Sequence, residues 1–313
     1  MKELFILGIV VFFSVLTYWL VEPFAHGKMH KHVDSHQFQY TDLPAITKTG
    51  DATRGADAFM AGGCIGCHNV KALGMETGMS PKDSAAAYGV NPPDLSNAGA
   101  IYDAKFLADL IKNPAHATGV EHKFNDMRPH PMPAFYGAGG DDIDQEIADM
   151  VAYLQSIAVK AEEVTPEMAF EDACGRCHAV KYNQWTQMGE TPKFKYRKDA
   201  LRYEADVLDY QDAVKAYMGK LPPDLSMYTR SRGHHFLSTF IEDPQVHLAG
   251  TAMPRVGVTA DSAEKVLAYL EEAGDPSKAN GDRDRIGMYV MIFSLVFAIF
   301  AYLWKREIWK DLH

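Results

Sequence analysis

All four cysteines of the 313-residue chain belong to two copies of one short motif. The copies are Cys64-Ile65-Gly66-Cys67-His68 and Cys174-Gly175-Arg176-Cys177-His178. The C-x-x-C-H spacing is typical of covalent haem c attachment, in which two thiols form thioethers with the haem vinyl groups and the adjoining histidine binds the iron. The pattern predicts two covalently bound haem c groups, with His68 and His178 as the proximal iron ligands.

Two other chemistries use paired cysteines, and both fit this spacing less well. A zinc site made from two pairs normally places them about 12–20 residues apart, whereas Cys67 and Cys174 are 107 positions apart. A thioredoxin-type redox pair needs no histidine after its second cysteine. Because no Ser-His-acid set, phosphate-binding loop or spare thiol is recognisable, the sequence predicts no catalytic residues.

The second axial ligand must come from a loop that crosses the opposite face of each haem. Met132 and Met253 differ from the other methionines because each precedes proline in a stretch bearing further proline or glycine. A fixed backbone of this kind can hold a thioether at the iron, and His/Met ligation raises the reduction potential relative to two histidines. We predict Met132 and Met253 as the distal ligands, with His130 as the alternative in the first half.

The two halves of the chain resemble each other beyond the cysteine motifs. Four further blocks recur in the same order: Pro92-Pro93-Asp94-Leu95-Ser96 as Pro222-Pro223-Asp224-Leu225-Ser226, Phe106-Leu107 as Phe236-Leu237, Met132-Pro133 as Met253-Pro254, and Val151-Ala152-Tyr153-Leu154 as Leu267-Ala268-Tyr269-Leu270. Matches in separate blocks indicate an internal duplication. The duplication predicts two small helical units, each wrapped around one haem.

The repeated blocks also indicate which elements position the ligands. Phe59 and Phe170 precede the cysteines on the first helix of each unit, and we expect them to pack against Tyr153 and Tyr269 on the closing helix. A backbone carbonyl in each Pro-Pro-Asp-Leu-Ser block is expected to accept the Nδ1 proton of the proximal histidine, with a plain turn as the alternative. Candidate partners for the haem propionates, or else for surface carboxylates, are Arg230, Arg232 and Arg255.

The halves differ most between the haem motif and the Pro-Pro block. That stretch has 23 residues after His68 and 43 after His178. The second half therefore carries an insertion about as long as a helical hairpin, which includes Trp185 and the charged residues 193–220. Such an insertion is expected either to contact another subunit or to be a solvated elaboration.

An uncharged apolar run lies near each end of the chain, at residues 4–21 and 286–304. At roughly 1.5 Å per helical residue, each run is long enough to cross a bilayer. The first run exceeds the usual core of a signal peptide, and Pro23 stands where a cleavage site needs a small side chain. We predict a transmembrane helix at each end, with a secretory signal and a soluble core helix as the alternatives.

Charge and redox chemistry indicate where the rest of the chain lies. A formal net charge of −10 opposes binding to nucleic acid and suits a basic protein partner. Haem c is attached on the oxidising side of the membrane. We therefore predict that residues 22–285 face the periplasm or its equivalent and that both termini lie in the cytoplasm.

The second half resembles cytochrome c1. The resemblance rests on Leu221-Pro222-Pro223-Asp224-Leu225-Ser226, on Ala252-Met253-Pro254-Arg255-Val256-Gly257-Val258, and on one apolar helix that ends in Tyr302, Lys305, Arg306 and Trp309. It covers roughly residues 165–313. With the additional haem unit and the N-terminal anchor, the whole chain resembles the dihaem cytochrome c1 subunit of some bacterial cytochrome bc1 complexes.

Together, the motifs and the resemblance imply a mainly α fold with two tandem cytochrome c-type haem domains between two transmembrane helices. The expected parts are an anchor at 1–25, a first haem domain at 26–160, a second, cytochrome c1-like domain at 161–282, and an anchor with a cytoplasmic tail at 283–313.

The resemblance also implies a function and partners. The chain would be an electron-transfer subunit of quinol–cytochrome c oxidoreductase, associated with cytochrome b and the Rieske iron–sulfur protein. The haem at His178 and Met253 would accept one electron from the Rieske protein, and the haem at His68 and Met132 would pass it to a soluble cytochrome c or a terminal oxidase. No substrate-transforming site is expected in this chain alone.

Two other functions are left open by the sequence. A dihaem subunit of a cbb3-type cytochrome c oxidase shares two haem c domains and an N-terminal anchor, but it does not account for the second apolar run. A dihaem cytochrome c peroxidase needs a five-coordinate or bis-histidine haem, so it would not use Met132 as a ligand.

Overall fold

The computed structural model describes residues 2–29, 37–125, 127–279 and 283–311, and these are mainly helical. The α-helices are α1 Lys2–Leu16, α2 Glu22–Met29, α3 Ala52–Ala61, α4 Pro81–Tyr88, α5 Ala98–Ile101, α6 Ala104–Lys112, α7 Pro114–Ala117, α8 Ile143–Ile157, α9 Pro166–Ala173, α10 Arg197–Met218, α11 Tyr228–Arg232, α12 His234–Glu242, α13 Pro244–His247, α14 Ala260–Gly274, α15 Pro276–Ala279 and α16 Arg283–Ile308. Two short strands, β1 Trp185–Thr186 and β2 Gly189–Glu190, pair antiparallel.

Shorter helical turns connect these elements. The π-helical segment Thr17–Val21 joins α1 to α2, and single 3-10 turns lie at Cys64–Gly66, Lys71–Leu73, Glu121–Lys123, Ala161–Glu163, Lys181–Asn183 and Trp309–Asp311.

The terminal helices carry the two apolar runs. The windows Gly8–Ala25 and Arg285–Ile308 are long and apolar enough to cross a membrane, and neither is buried inside the protein. Large apolar side chains such as Phe12, Trp19 and Phe293 are exposed along them. Continuous apolar surface of this extent is unfavourable in water, so the two helices indicate membrane anchoring.

The first half is built on the contact between α3 and α8. Asp51 caps α3, because its carboxylate accepts the backbone N–H groups of the first turn. The two helices approach closely: a Cβ placed on Gly55 would lie 2.0 Å from the carbonyl oxygen of Asp149. The buried rings of Phe59 and Tyr153 have their centroids 5.4 Å apart, which confirms the aromatic contact expected in this half.

The second half repeats the arrangement with α9 and α14. Thr165 caps α9 and Thr259 caps α14, each through its side-chain oxygen. Phe170 and Tyr269 stack with their ring centroids 4.5 Å apart. The second expected aromatic contact is therefore also confirmed.

One buried cluster joins the two halves. It includes Ile101 and Phe106 from the first half and Phe170 and Leu267 from the second. The backbone N–H of Thr259 donates to the carbonyl of Ile101 at 2.9 Å. The halves therefore share apolar core as well as backbone hydrogen bonds.

The insertion in the second half consists of the β1–β2 hairpin and the long helix α10, and not of the helical hairpin that its length suggested. Helix α10 packs against α4 of the first half. Lys82 on α4 forms ion pairs of 2.6 Å with Asp206 and 2.8 Å with Asp209 on α10. Between the same two helices, Ala85 and Tyr210 belong to a small buried cluster. In this structure the insertion contacts the other half of its own chain.

Candidate haem-binding sites

Each cysteine motif forms one tight turn directly after a helix. In the first copy, the N–H groups of Cys67 and His68 donate to the carbonyl of Cys64 at 3.2 and 3.0 Å. In the second copy, the equivalent bonds to the carbonyl of Cys174 are 3.1 and 2.9 Å long. The two motifs therefore have the same backbone arrangement, which keeps both thiols and the following imidazole within a single turn.

The four thiols are unpaired. Burial raises the pKa of Cys64 and raises that of Cys174 to about 12, so these groups stay protonated as free thiols at neutral pH. Within the described part of the chain, no three His, Cys, Asp or Glu side chains lie close enough to hold a metal ion together. The two cysteine pairs therefore do not converge on one four-thiolate site.

Both motif histidines are held by the repeated proline turn. His68 Nδ1 donates to the carbonyl oxygen of Pro93 at 3.0 Å, and His178 Nδ1 donates to that of Pro223 at 2.8 Å. Because a carbonyl can only accept, Nδ1 carries the proton and Nε2 keeps a lone pair. The hydrogen bonds expected from the two Pro-Pro-Asp-Leu-Ser blocks are confirmed.

The electrostatics of both histidines favour the neutral imidazole. Burial lowers the pKa of His68 and of His178, although the hydrogen bond to the proline carbonyl acts in the opposite direction. A neutral ring with a free Nε2 is the form that binds a metal. The carbonyl bond also fixes the orientation of the ring and increases its basicity.

The proline turns are themselves fixed to the backbone that follows each motif. In the first half, Asp94 accepts from the N–H of Ser96 at 2.9 Å, and the Ser96 hydroxyl accepts from the N–H of Ala72 at 3.0 Å. In the second half, Asp224 accepts from the N–H of Ser226 at 2.8 Å. The Asp and Ser of the repeated block thus hold the turn in place, so that its carbonyl meets the imidazole.

The loop that carries Met132 also contains His130. Nδ1 of His130 lies 3.0 Å from the carbonyl oxygen and 3.2 Å from the backbone nitrogen of Met132. Its ring meets that of Phe124 edge to face, with the centroids 4.7 Å apart. Burial lowers the pKa of His130. Met132 and His130 are therefore next to each other in a fixed loop, and the assignment of Met132 as the distal ligand stays a prediction.

The loop that carries Met253 is fixed on both sides. Gln245 Nε2 donates to the carbonyls of Thr251 at 3.1 Å and Met253 at 3.4 Å. After the methionine, the N–H of Arg255 donates to the carbonyl of Thr118 in the first half at 2.8 Å. Met253 is half-buried in a loop with little freedom, as its proposed role as a distal ligand requires.

Two buried arginine N–H donors test whether a haem fits the residues around the proposed sites. Nε of Arg176 and Nε of Arg255 are buried and have no hydrogen-bond partner among the described residues. The Arg255 guanidinium already binds Asp42 at 2.7 Å and Asp243 at 2.8 Å. A buried unsatisfied donor is costly, and a haem propionate supplies the acceptor that such a group lacks. Of the three arginines proposed for the propionates, Arg230 and Arg232 are exposed.

The spacing of the motifs does not predict a structural role for Arg176 or Tyr210. Arg176 Nη1 donates to the carbonyl of Asn91 at 3.1 Å, and the Tyr210 hydroxyl donates to the carbonyl of Arg176 at 2.8 Å. One sequence difference points to Arg176: the first motif has Gly66 at the position where the second motif has Arg176.

The first half of the chain also matches a known protein family. Residues 52–158 match the sequence profile of the family described as Cytochrome c. The chain contains a cytochrome c domain. This cytochrome c domain includes the first cysteine motif and the Met132 loop, and it implies covalently bound haem c and electron transfer.

One curated protein and one solved structure are also similar to part of this chain. Cytochrome c1 of Allochromatium vinosum (strain ATCC 17899 / DSM 180 / NBRC 103801 / NCIMB 10441 / D) is 23% identical in an alignment 202 residues long, which covers 46% of this chain and 82% of that protein. A solved structure named "Hyperthermophilic respiratory Complex III" is 25% identical with a TM-score of 0.36, and the match covers 47% of this chain and 75% of that one.

Proposed function

We propose that this chain is a membrane-anchored dihaem cytochrome that transfers single electrons within a cytochrome bc1 complex. The observation that carries the proposal is the duplicated site, in which each motif histidine is neutral, oriented by a proline carbonyl and free at Nε2. Similarity to a protein named cytochrome c1 supports the choice of complex. The two exposed apolar helices support a location in the membrane.

The residues of the chain would bind and orient the two haems. Cys64 and Cys67 would hold the first haem and Cys174 and Cys177 the second. His68 and His178 would be the proximal ligands. When bound, haem supplies a one-electron iron couple whose potential depends on the axial ligands, the burial and the neighbouring charges. Met132 and Met253 are proposed as the distal ligands, because thioether ligation places such a couple at high potential.

The proposed route and orientation follow from the same assignment. The domain at 161–282 would receive electrons from the Rieske iron–sulfur protein, next to cytochrome b. The domain at 26–160 would deliver them to a soluble cytochrome c or a terminal oxidase. Both domains would lie in the periplasm of a bacterium, with the two termini on the cytoplasmic side of the inner membrane.

The number of haems is tested by mass. Intact-mass measurement of the full chain, produced in cells that attach haem c, is expected to show two added haem groups. The pair of changes Cys64→Ala and Cys67→Ala should remove one group, and the pair Cys174→Ala and Cys177→Ala should remove the other. A wild-type chain without added haem would overturn the proposal.

The complex is tested by purification from native membranes. We expect a cytochrome b and a Rieske protein to co-purify with the chain, and the complex to reduce cytochrome c with quinol. Co-purification with haem–copper oxidase subunits would instead identify a cbb3-type oxidase subunit, and turnover of hydrogen peroxide by the isolated chain would identify a peroxidase. Either result would contradict the proposed role in a cytochrome bc1 complex.

A further inference from the structure

The two halves differ in length just before their proposed distal ligands. The short helices α7 and α13 end at equivalent positions, Ala117 and His247. From there, the first half has 14 residues before Met132, and the second has five before Met253. The first half therefore carries additional chain at this point, and we call its residues 118–123 the bridging segment.

The side chain of Lys123 connects the bridging segment to the second half. Its Nζ donates to the carbonyl of Met218 at 2.9 Å and to that of Ala252 at 3.2 Å. Met218 is the last residue of α10, and Ala252 directly precedes Met253. Because Lys123 is half-buried, its ammonium group exchanges water for these two carbonyls, and bonds from a charged donor are stronger than neutral ones. Lys123 therefore holds the backbone on the N-terminal side of the methionine.

The bridging segment also binds the backbone on the other side of Met253. The carbonyl of Thr118 accepts from the N–H of Arg255 at 2.8 Å. Only Met253 and Pro254 lie between Ala252 and Arg255, and the ring of the proline fixes its φ angle. Both ends of this short stretch are therefore attached to the first half of the chain.

The loop that carries Met132 is held within its own half at the methionine. The carbonyl oxygen and the backbone nitrogen of Met132 lie 3.0 and 3.2 Å from Nδ1 of His130. Arg128 of the same loop donates to the carbonyl of Tyr217 on α10, but it lies four positions before the methionine. The first half thus holds the loop of its own distal methionine and also that of the second half.

We propose that Lys123 is a positioning residue for the second haem site, where it holds the backbone before Met253 so that the thioether stays on the iron. The inference rests on the proposed function, because it needs haem at the second site and Met253 as its distal ligand. A loop that is ordered in advance has less conformational entropy to lose when its side chain binds. Without Lys123, Met253 leaves the iron more often, while the Met132 loop keeps its own contacts.

The test uses carbon monoxide as a probe of the distal position in the reduced, full-length dihaem chain in detergent. Carbon monoxide binds ferrous haem where the distal ligand has left, so its rate of binding reports how often that happens. Cys64→Ala leaves one vinyl group of the first haem unsaturated. The absorption of the first site then moves to longer wavelength, and the two sites are followed separately without a change in the second motif.

In this background, Lys123→Met should increase the rate of carbon monoxide binding at the second site about tenfold, as expected for the loss of a charge-assisted hydrogen bond. The rate at the first site should stay unchanged. Because the iron is reduced throughout, the rate reports the distal ligand and not the reduction potential, which the loss of a positive charge would also alter.

Three further variants separate the position of the loop from charge and from general stability. Lys123→Arg keeps a charged donor and should keep most of the wild-type behaviour, whereas Lys123→Gln keeps a donor without the charge and should give an intermediate rate. Lys265→Met is the matched control, because Lys265 Nζ also donates to a backbone carbonyl, that of Ala161 at 2.6 Å, outside the two methionine loops. It should leave both rates unchanged. Haem content and thermal unfolding are measured for each variant, since a merely structural role would change these and the rates at both sites.

The possible results separate this inference from the proposed function. A wild-type chain without two haems would contradict both. A dihaem wild-type chain whose second site binds carbon monoxide rapidly, as a five-coordinate haem does, would overturn the inference alone, and this measurement needs no change at Lys123. The wild-type rate at the second site in folded Lys123→Met and Lys123→Gln chains would also overturn it, as would an equal increase at both sites. Each of these last results would leave the dihaem cytochrome intact.

Discussion

At the scale of single residues, the chemistry of each site depends on which atom faces the iron from the distal side. A thioether ligand raises the reduction potential of a haem relative to imidazole. In the Met253→His variant we therefore expect a lower midpoint potential at the second site, measured by redox titration of the full chain. Met227→His provides a control, because Met227 is an exposed methionine of the same half. Equal potentials in wild type and Met253→His would show that Met253 is not the ligand.

A second residue-scale prediction concerns His116, whose Nδ1 lies 2.6 Å from Oδ2 of the buried Asp109. The hydrogen bond to Asp109 raises the pKa of His116 above its ordinary value of 6.5, against the smaller opposing effect of burial. A raised folded-state pKa stabilises the protein below the unfolded value, and this contribution is lost as pH rises through the folded value.

Because His116 is partly exposed, the contribution is expected to be below about 1 kcal/mol. We expect wild type to lose this stability, measured by chemical unfolding, as the pH rises from 6.5 through the raised folded-state pKa. His116→Gln should lack this part of the pH dependence. If the variant shows the same dependence as wild type, another group is responsible.

At the scale of elements, the contact between α3 and α8 depends on one buried carboxylate. Asp149 binds Arg54 through two hydrogen bonds of 2.8 Å and accepts the backbone N–H of Asp51 at 2.7 Å. Burial acts to raise the pKa of Asp149, but these hydrogen bonds hold it below its usual range. The ionised group thus ties the start of α3 to the middle of α8.

Removing this carboxylate should separate the two helices. Asp149→Ala leaves the partly buried N–H of Asp51 without its acceptor and the exposed Arg54 without its partner, so we expect a loss of about 2 kcal/mol in the free energy of unfolding. The control Asp144→Asn changes an exposed carboxylate of the same helix that pairs with Lys112, and it should cost less than about 1 kcal/mol. Similar values for the two variants in chemical unfolding would contradict this account of the α3–α8 contact.

The sequence predicted these local elements well because their signals are local or repeated. The C-x-x-C-H spacing, the Pro-Pro-Asp-Leu-Ser blocks and the aromatic pairs Phe59–Tyr153 and Phe170–Tyr269 all lie in segments that occur twice.

Helix α10 was harder to predict. Its few buried residues, Val207, Tyr210 and Val214, lie in a helix that is rich in charged side chains along its length, so the segment resembles a solvated helix. Its partner α4 is more than 100 residues away in the chain.

At the scale of the whole molecule, the sequence predicted two tandem units and did not indicate how they meet. The contact between them depends on residues that differ between the two repeats, such as Arg176, and on backbone bonds such as that from Arg255 to Thr118. Neither type of contact leaves a pattern in a single sequence. Hydrogen bonds between backbone atoms do not depend on residue type. An arginine in a motif is as consistent with a solvent-exposed side chain as with a buried one.

The contacts between the halves have a consequence for unfolding. Arg255 is buried, pairs with Asp42 and Asp243, and lies two residues after Met253. The largest buried cluster contains side chains from both halves. A domain whose core is shared cannot unfold alone without exposing apolar surface of its neighbour. We therefore expect the two haem sites to lose their ligation in one transition.

The measurement is chemical unfolding of the full chain in detergent, followed by circular dichroism and by the haem absorption of both sites. Arg255→Gln leaves two carboxylates without their cation, so it should cost about 3 kcal/mol. It should lower the midpoint of both haem signals together, although the residue belongs to the second half. Arg230→Gln, an exposed change in the same half, should leave the midpoint in place. Two separate transitions, with only the second-site signal responding to Arg255→Gln, would show that the halves are independent domains.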